Sequence, residues 1–288
     1  MIQVESATAR IFFRFGHIGE GFHGSQMQPG LRTAQGELLD IFYKCKFIDN
    51  NKTIQMASRT DAGVNVRQNG GIVDMKRSKW DPMGEKGFMK AVGDRLPGDM
   101  ALFDAMEVEE TWLPRRNATR TYLYRLEAVE KWKQPDIVDF KNWCQIFVGE
   151  HNWSNFSRVE EGKTYVREVL ECEPWVNENR IIGFKIIGTA FVWNQVRRIA
   201  SALVGLSNGT HDFEKVKAAL HQPNKYIDLG LCPPDWLTLW NVEWDNIPTI
   251  SAEIPALTKP HGVFKRWLEL AKLEQKQMLH ASWSTTGS

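Results

Sequence analysis

Two strand-like segments, residues 166–176 and 181–187, are joined by a four-residue link that contains Asn177, Glu178 and Asn179. Parallel strands need a crossover of a dozen or more residues, so a link this short makes the two segments an antiparallel hairpin. The second half of the chain has to be organised around it. Residues 121–128 alternate as a strand, and 137–148 carry helical apolar spacing. After the hairpin, 191–206 reads as a helix, 212–220 as another capped by Asp212, and 237–244 as a closing strand. A similar order comes first, without any residue-level repeat. Residues 10–15 form an apolar strand that alternates poorly, followed by a long Gly-containing loop, 16–30, expected to be exposed. Thr33 caps a helix built on Leu38, Leu39, Ile41 and Phe42 and running to about Cys45; 53–57 and 71–75 are short strands. Pro82, Phe88, Met89 and Val92 mark a helix that ends before Leu96-Pro97-Gly98, and 100–108 is a strand.

The expected architecture is therefore α+β: two split β-α-β (ferredoxin/RRM-like) domains, each with helices on one face of an antiparallel sheet. The domains are placed at residues 1–112 and 113–247, with 248–288 as a C-terminal extension. Within that extension 263–278 is a basic amphipathic stretch, read as a packing helix, and 282–288 is a polar end. At 288 residues and 42% hydrophobic content the chain can close a sizeable core without staples. Cys45, Cys144, Cys172 and Cys232 are scattered, with no metal-ligand spacing, so reduced thiols, a cytoplasmic location and no metal are expected. The longest apolar passage, 199–206, is too short to span a membrane. Lys plus Arg exceed Asp plus Glu by one, so a polyanionic partner would have to be met by a local basic cleft. The 12 Trp and 15 Phe are read first as packing residues.

The sharpest chemical feature is Ser58-Arg59-Thr60-Asp61-Ala62-Gly63-Val64, an acid in a tight polar turn directly after an apolar strand. Asp beside Gly is commonly structural, because the side chain can satisfy turn backbone while Gly accepts positive φ. A strand-end carboxylate beside arginine could equally serve as nucleophile or general base. The lack of a second carboxylate motif argues against an ordinary glycosidase.

This turn resembles the signature of the TruA-type tRNA pseudouridine synthases, whose catalytic aspartate lies in R-T-D-A-G-V. Other segments agree in order over roughly residues 10 to 245. Gly24-Ser25-Gln26-Met27-Gln28-Pro29 and Thr33-Ala34-Gln35-Gly36-Glu37-Leu38 resemble the family's first loop and helix, and Leu96-Pro97-Gly98-Asp99-Met100 its L-P-x-D-I turn. Ala118-Thr119-Arg120-Thr121-Tyr122-Leu123-Tyr124 is similar to A-x-x-R-x-Y-x-Y, and His151-Asn152-Trp153-Ser154-Asn155-Phe156 to G-x-H-D-F-x-x-F. Phe191-Val192-Trp193-Asn194-Gln195-Val196-Arg197-Arg198-Ile199 is similar to F-L-x-x-M-V-R-x-I, and Trp236-Leu237-Thr238-Leu239 to G-L-x-L. The chain departs from the family at Ser25, often Trp there, at Asn65, often His, and at 161–166, where a Cys-containing segment is usual.

The resemblance implies the pseudouridine synthase fold, with a central basic cleft, and isomerisation of uridine in the anticodon stem-loop of tRNA, at positions 38, 39 and 40. It implies Asp61 as the catalytic carboxylate, Arg197 as its counter-charge, and Tyr122 stacked on the target uracil with its hydroxyl on a proton path. Leu237 would pack on the other side of the base, and Arg59 would fill the gap left by the extruded nucleotide. Arg115, Arg116 and Arg120, with Lys76, Arg77 and Lys79, are candidates for phosphate contacts. No cofactor, metal or nucleotide is implied; a homodimer holding one tRNA is. The alternatives are a noncatalytic RNA-binding protein with two RRM-like domains, a base-releasing glycosidase using Asp61, and a synthase acting at other tRNA uridines.

Overall fold

The computed structural model describes residues 7–49, 53–260 and 264–284, without the side chains of 265 and 266. Its chain gathers into two compact units. The first comprises Met1–Ala118, Trp244–Ile250 and Leu279–Ser288, and the second Thr119–Glu243 and Ser251–Met278.

In the first unit β1 (Thr8–His17) is paired antiparallel with β3 (Asn65–Lys76) on one side and β4 (Met100–Val108) on the other, and the two-residue β2 (Gln55–Met56) pairs with β3. The poor alternation of β1 has a simple cause, which is that both of its faces are covered. Phe13 and Phe15 belong to a core with Leu38 and Phe42 of α1 (Ala34–Lys44) and Phe88 of α2 (Arg77–Gly93). On the other face Phe12 lies edge-on to Trp112 and Trp244, each 5.0 Å away, while Arg14 pairs with Asp104 and donates to Pro248 O (2.6 Å). Thr33 caps α1 by accepting from Gly36 N, as its position before the apolar set predicts. Helix α2 begins before Pro82 and is kinked at Gly84.

The second unit orders its strands β9-β5-β8-β7-β6, where β5 is Ala118–Tyr124, β6 Gly149–Asn152, β7 Val166–Asn177, β8 Arg180–Gly188 and β9 Leu237–Trp244. The predicted hairpin is β7–β8, with Asn177 paired to Arg180 and Glu178 at φ 54°. Residues 126–128, read as the end of β5, turn into a short 3-10 segment instead. Helices α3 (Ile137–Gln145), α4 (Gln195–Asn208) and α5 (Phe213–His221) follow the predicted order. Asp212 caps α5 by accepting from Lys215 N (2.7 Å).

The C-terminal stretch is folded, not loose. Helix α6 (Phe264–Ser284) buries Trp267, Ala271 and Leu279. In the second unit fully buried Arg125 donates to Glu274 Oε2 (2.9 Å) and to Glu127. Arg180 joins Glu127, and Thr258 N donates to Glu274 Oε1 (2.6 Å). In the first unit Trp283 Nε1 donates to Arg67 O (2.9 Å). Residue 263 of the expected helix and 285–288 of the polar end lie outside the described residues. No helix among the described residues is long and apolar enough to cross a membrane.

Candidate active site

The loop between β2 and β3, residues 57–64, carries Asp61 at its far end. After Met56 the sheet continues for one more bond, Ala57 N to Gly70 O (2.8 Å), and the backbone then passes to side chains. Asn69 on β3 accepts from Ser58 N (3.2 Å) through Oδ1 and donates to Ser58 O (2.9 Å) through Nδ2, replacing the ladder that the loop has left. Thr60 N donates to Ser25 Oγ (2.8 Å), and Ser25 N donates back to Thr60 O (3.1 Å). Both residues are buried, so Asp61, half-buried, is presented from a fixed backbone. Val64 N closes the turn onto Asp61 O, with Gly63 at φ 82° in the position where a type II turn needs positive φ. Gly24 supports it from below at φ 91°, where a Cβ would come within 2.9 Å of Thr60 O.

The support reaches a second layer. Gly63 N donates to Phe22 O, Gly19 N donates to Asn65 Oδ1 (3.0 Å), and His17 packs against the Phe22 ring (4.8 Å). The loop expected to be exposed, 16–30, is thus partly buried, with Phe22 and Ser25 inside. His17 is wholly buried, and loss of hydration pulls its pKa down to about 4. Ser25 and Asn65, where the chain departs from the motif it resembles, both hold this turn. Sequence reasoning missed Ser25, Asn65 and Asn69 as supports; the one visible signal was the polar run Arg67-Gln68-Asn69 ahead of an apolar strand segment.

Arg59 is exposed beside this turn, and Arg115 Nε donates to Met56 O (3.0 Å). Partial loss of hydration, then the nearby charge of Arg59, lowers the pKa of Arg115. Two like charges held close together mark a place suited to an anion. Arg116 is exposed. Lys76 is bound to Asp49 (2.6 Å), and Arg77 to Asp81 (3.2 Å) and Glu107 (2.7 Å).

In the second unit Tyr122, in the middle of β5, is buried with its ring edge-on to Phe191 at 5.1 Å. Leu237 at the start of β9 is also buried. Arg120 is buried too and donates to Thr189 O, anchoring the start of loop 189–194. That loop ends at Asn194, a non-glycine residue at φ 66°, so α4 begins at Gln195 and not at 191 as its apolar sequence suggests. Gln195 Oε1 accepts from Val192 N (2.9 Å). Arg197 Nε donates to Cys232 O (2.8 Å) and Nη1 to Asn194 Oδ1 (3.1 Å), so its stem and head are oriented from two sides. Arg59, Asp61 and Arg115 thus belong to the first unit, with Arg59 near Arg115, and Tyr122, beside Phe191, belongs to the second, as do Arg120 and Arg197. Among the described residues no three His, Cys, Asp or Glu side chains gather where they could share a metal ion.

A family model described as tRNA pseudouridine synthase matches residues 143–245. A tRNA pseudouridine synthase A of Methanosphaera stadtmanae is 30% identical over 244 residues, covering 83% of this chain and 85% of that protein. The protein of the same description from Pyrococcus furiosus is 31% identical, with coverage of 83% and 85%. That from Methanocella arvoryzae is 35% identical, over 66% and 68%.

Proposed function

This chain belongs to the family of TruA-type tRNA pseudouridine synthases, isomerases that turn uridine into pseudouridine, and from that premise we propose tRNA as its substrate and Asp61 as its catalytic carboxylate. The observation that carries the reading is the turn itself: the acid of the family's R-T-D-A-G-V string stands half-buried on a backbone pinned by Ser25 and Asn69. Fixed placement is what a single catalytic carboxylate requires.

The reaction breaks the bond from C1′ to N1, turns the uracil and joins C1′ to C5. A proton leaves C5 and one is gained at N1, so the balance needs no redox partner and no nucleotide. Asp61 serves either by attacking sugar or base or by removing a sugar proton; both routes use the ionised carboxylate. Family resemblance assigns Arg197 the role of its counter-charge, and the two bonds from Arg197 to Cys232 O and Asn194 Oδ1 hold the guanidinium ready for it. Tyr122 stacks on the uracil and Leu237 packs on the other side of the base. Arg59, exposed beside the turn, fills the gap left by the extruded nucleotide. Arg115 and Arg116 contact phosphate. Arg120, buried against Thr189 O, acts in our reading by shaping loop 189–194, and Lys76 and Arg77 are committed to acids of their own. The target is the anticodon stem-loop, at positions 38, 39 and 40, the enzyme a cytoplasmic homodimer, and the fold two split β-α-β domains.

Incubation with an unmodified tRNA transcript, followed by mapping of pseudouridine, tests the reading. Pseudouridine at those positions is expected. Release of free uracil, or RNA binding without any base change, would refute it.

A further inference from the structure

Most of the aromatic content is used for packing: Trp153, Trp240 and Trp267 are fully buried. Trp193 stands apart from them with 45% of its surface exposed. It lies in the loop that also carries Phe191, and the two rings are used differently. Phe191 turns to Tyr122, while Trp193, two residues on, is turned to the surface with the Arg158 guanidinium 5.1 Å from its ring centre. The loop that presents it is fastened at several points. Asn194, its neighbour, is held in a left-handed conformation, and the loop is fastened by Gln195 Oε1, by Arg120 at Thr189 O and by Arg197 at Asn194 Oδ1. Arg158 is anchored as well, its carbonyl accepting from Ser157 Oγ (3.3 Å) and Tyr165 Oη (3.4 Å).

We infer that Trp193 and Arg158 form a stacking platform for one unpaired nucleobase of the RNA, a neighbour of the uridine being isomerised. The inference rests on the proposed function, in which Tyr122 takes the target base. A broad ring on a preorganised loop loses little freedom on binding, and any base offers it a π-face. The guanidinium over the ring adds positive charge where the backbone phosphate of a splayed nucleotide would follow. What selects RNA is the combination: a nucleotide carries in one group both a planar π-face for the ring and a negative charge for Arg158. The family motif leaves the position of Trp193 open, so the platform is a property of this chain's own sequence.

The test is a cycle between protein and RNA. Binding and single-turnover rates are measured for wild type, Trp193→Ala, Trp193→Phe and Arg158→Ala. The RNA is an anticodon stem-loop, either intact or with one abasic nucleotide at each of the two positions on either side of the target uridine. On intact RNA Trp193→Ala weakens binding by roughly 5- to 150-fold, and Trp193→Phe and Arg158→Ala by less. At one abasic position wild type shows the same loss, and Trp193→Ala adds nothing to it. Losses that multiply at every abasic position, or wild-type affinity in Trp193→Ala, overturn the platform. So does a change in sedimentation of RNA-free Trp193→Ala, which would place the ring in an interface between protein copies. Wild-type binding without turnover defeats the catalytic reading instead, and the binding cycle still reports on Trp193.

Discussion

The Asp61 turn and the 189–194 loop each hold a proposed functional side chain in place, but by different means. The turn is fastened from far away in sequence: Ser25 lies 35 residues from Thr60, and Asn69 lies 11 from Ser58 across a strand reversal. Its bonds are buried, and glycines take the positive φ angles. The 189–194 loop is fastened mostly by near neighbours, Gln195 and Arg197 at the start of α4, with Arg120 reaching Thr189 O from β5, and it accepts a non-glycine residue, Asn194, at positive φ. A turn built on distant partners can form only when its unit has folded, whereas a loop held mainly by the helix that follows it draws most of its shape from bonds three residues long. The first arrangement suits a group whose position decides the chemistry. The second suits contacts that read a substrate.

The largest effect separating the two is catalytic. Asp61→Ala or Asp61→Asn should lower the single-turnover rate by orders of magnitude with little change in tRNA affinity, whereas Trp193→Ala in the 189–194 loop should act first on affinity. Substantial pseudouridine formation by Asp61→Ala would remove the distinction.

Next comes a pH effect confined to the first region. His17 under the turn has a folded pKa of about 4, below the ordinary 6.5, so the unfolded chain binds more protons between those values. Stability is therefore fully present above pH 6.5 and falls as pH drops towards 4, by up to about 3 kcal/mol from this group. His17→Gln should flatten that part of the denaturation profile; an unchanged slope would clear His17 of the role.

Smaller, and aimed at the comparison itself, is a pair of variants. Asn69→Ala strands buried Ser58 N and O and should cost about 2 kcal/mol in urea unfolding, together with a slower rate. Asn194→Gly relieves the left-handed strain and should change stability by less than about 1 kcal/mol, with a few-fold loss in rate from freeing the Arg197 head. Equal destabilisation would show that the two loops are held alike. The smallest effect is that of Arg116→Ala, which should weaken tRNA binding modestly and flatten its salt dependence by about one unit. A salt slope equal to wild type would leave Arg116 off the phosphate path.

The legible parts of the sequence were those whose signal is local. Thr33 and Asp212 cap helices because their side chains reach N–H groups three residues on, and the β7–β8 link is too short to do anything but reverse the chain. The Asp61 string was legible through resemblance to a family. What stayed hidden depends on distant partners. The strand expected at 71–75 starts six residues earlier: residues 65–70, with Gly70 and a polar run, form the first half of β3, where Asn69 bonds to the Asp61 turn and Gly70 O accepts from Ala57 N. Phe191 and Val192 look like the first turn of an apolar helix, and only the left-handed Asn194 shows that the helix starts after them. Gly149–Asn152 is too short and polar to announce a strand and exists because β7 pairs with it.

The buried charges around Arg125 have a consequence for how the protein is made. Arg125 meets Glu274, 149 residues further along the chain, inside a core that also takes in Trp267. At about 5–20 residues per second the ribosome needs roughly 7–30 s to travel that far. Throughout that interval the nascent second unit holds Arg125 with Glu127 beside it in sequence but without its distant acid. Helix α6 then brings the second acid, and a chain that stalls before it lacks Glu274 beside Arg125.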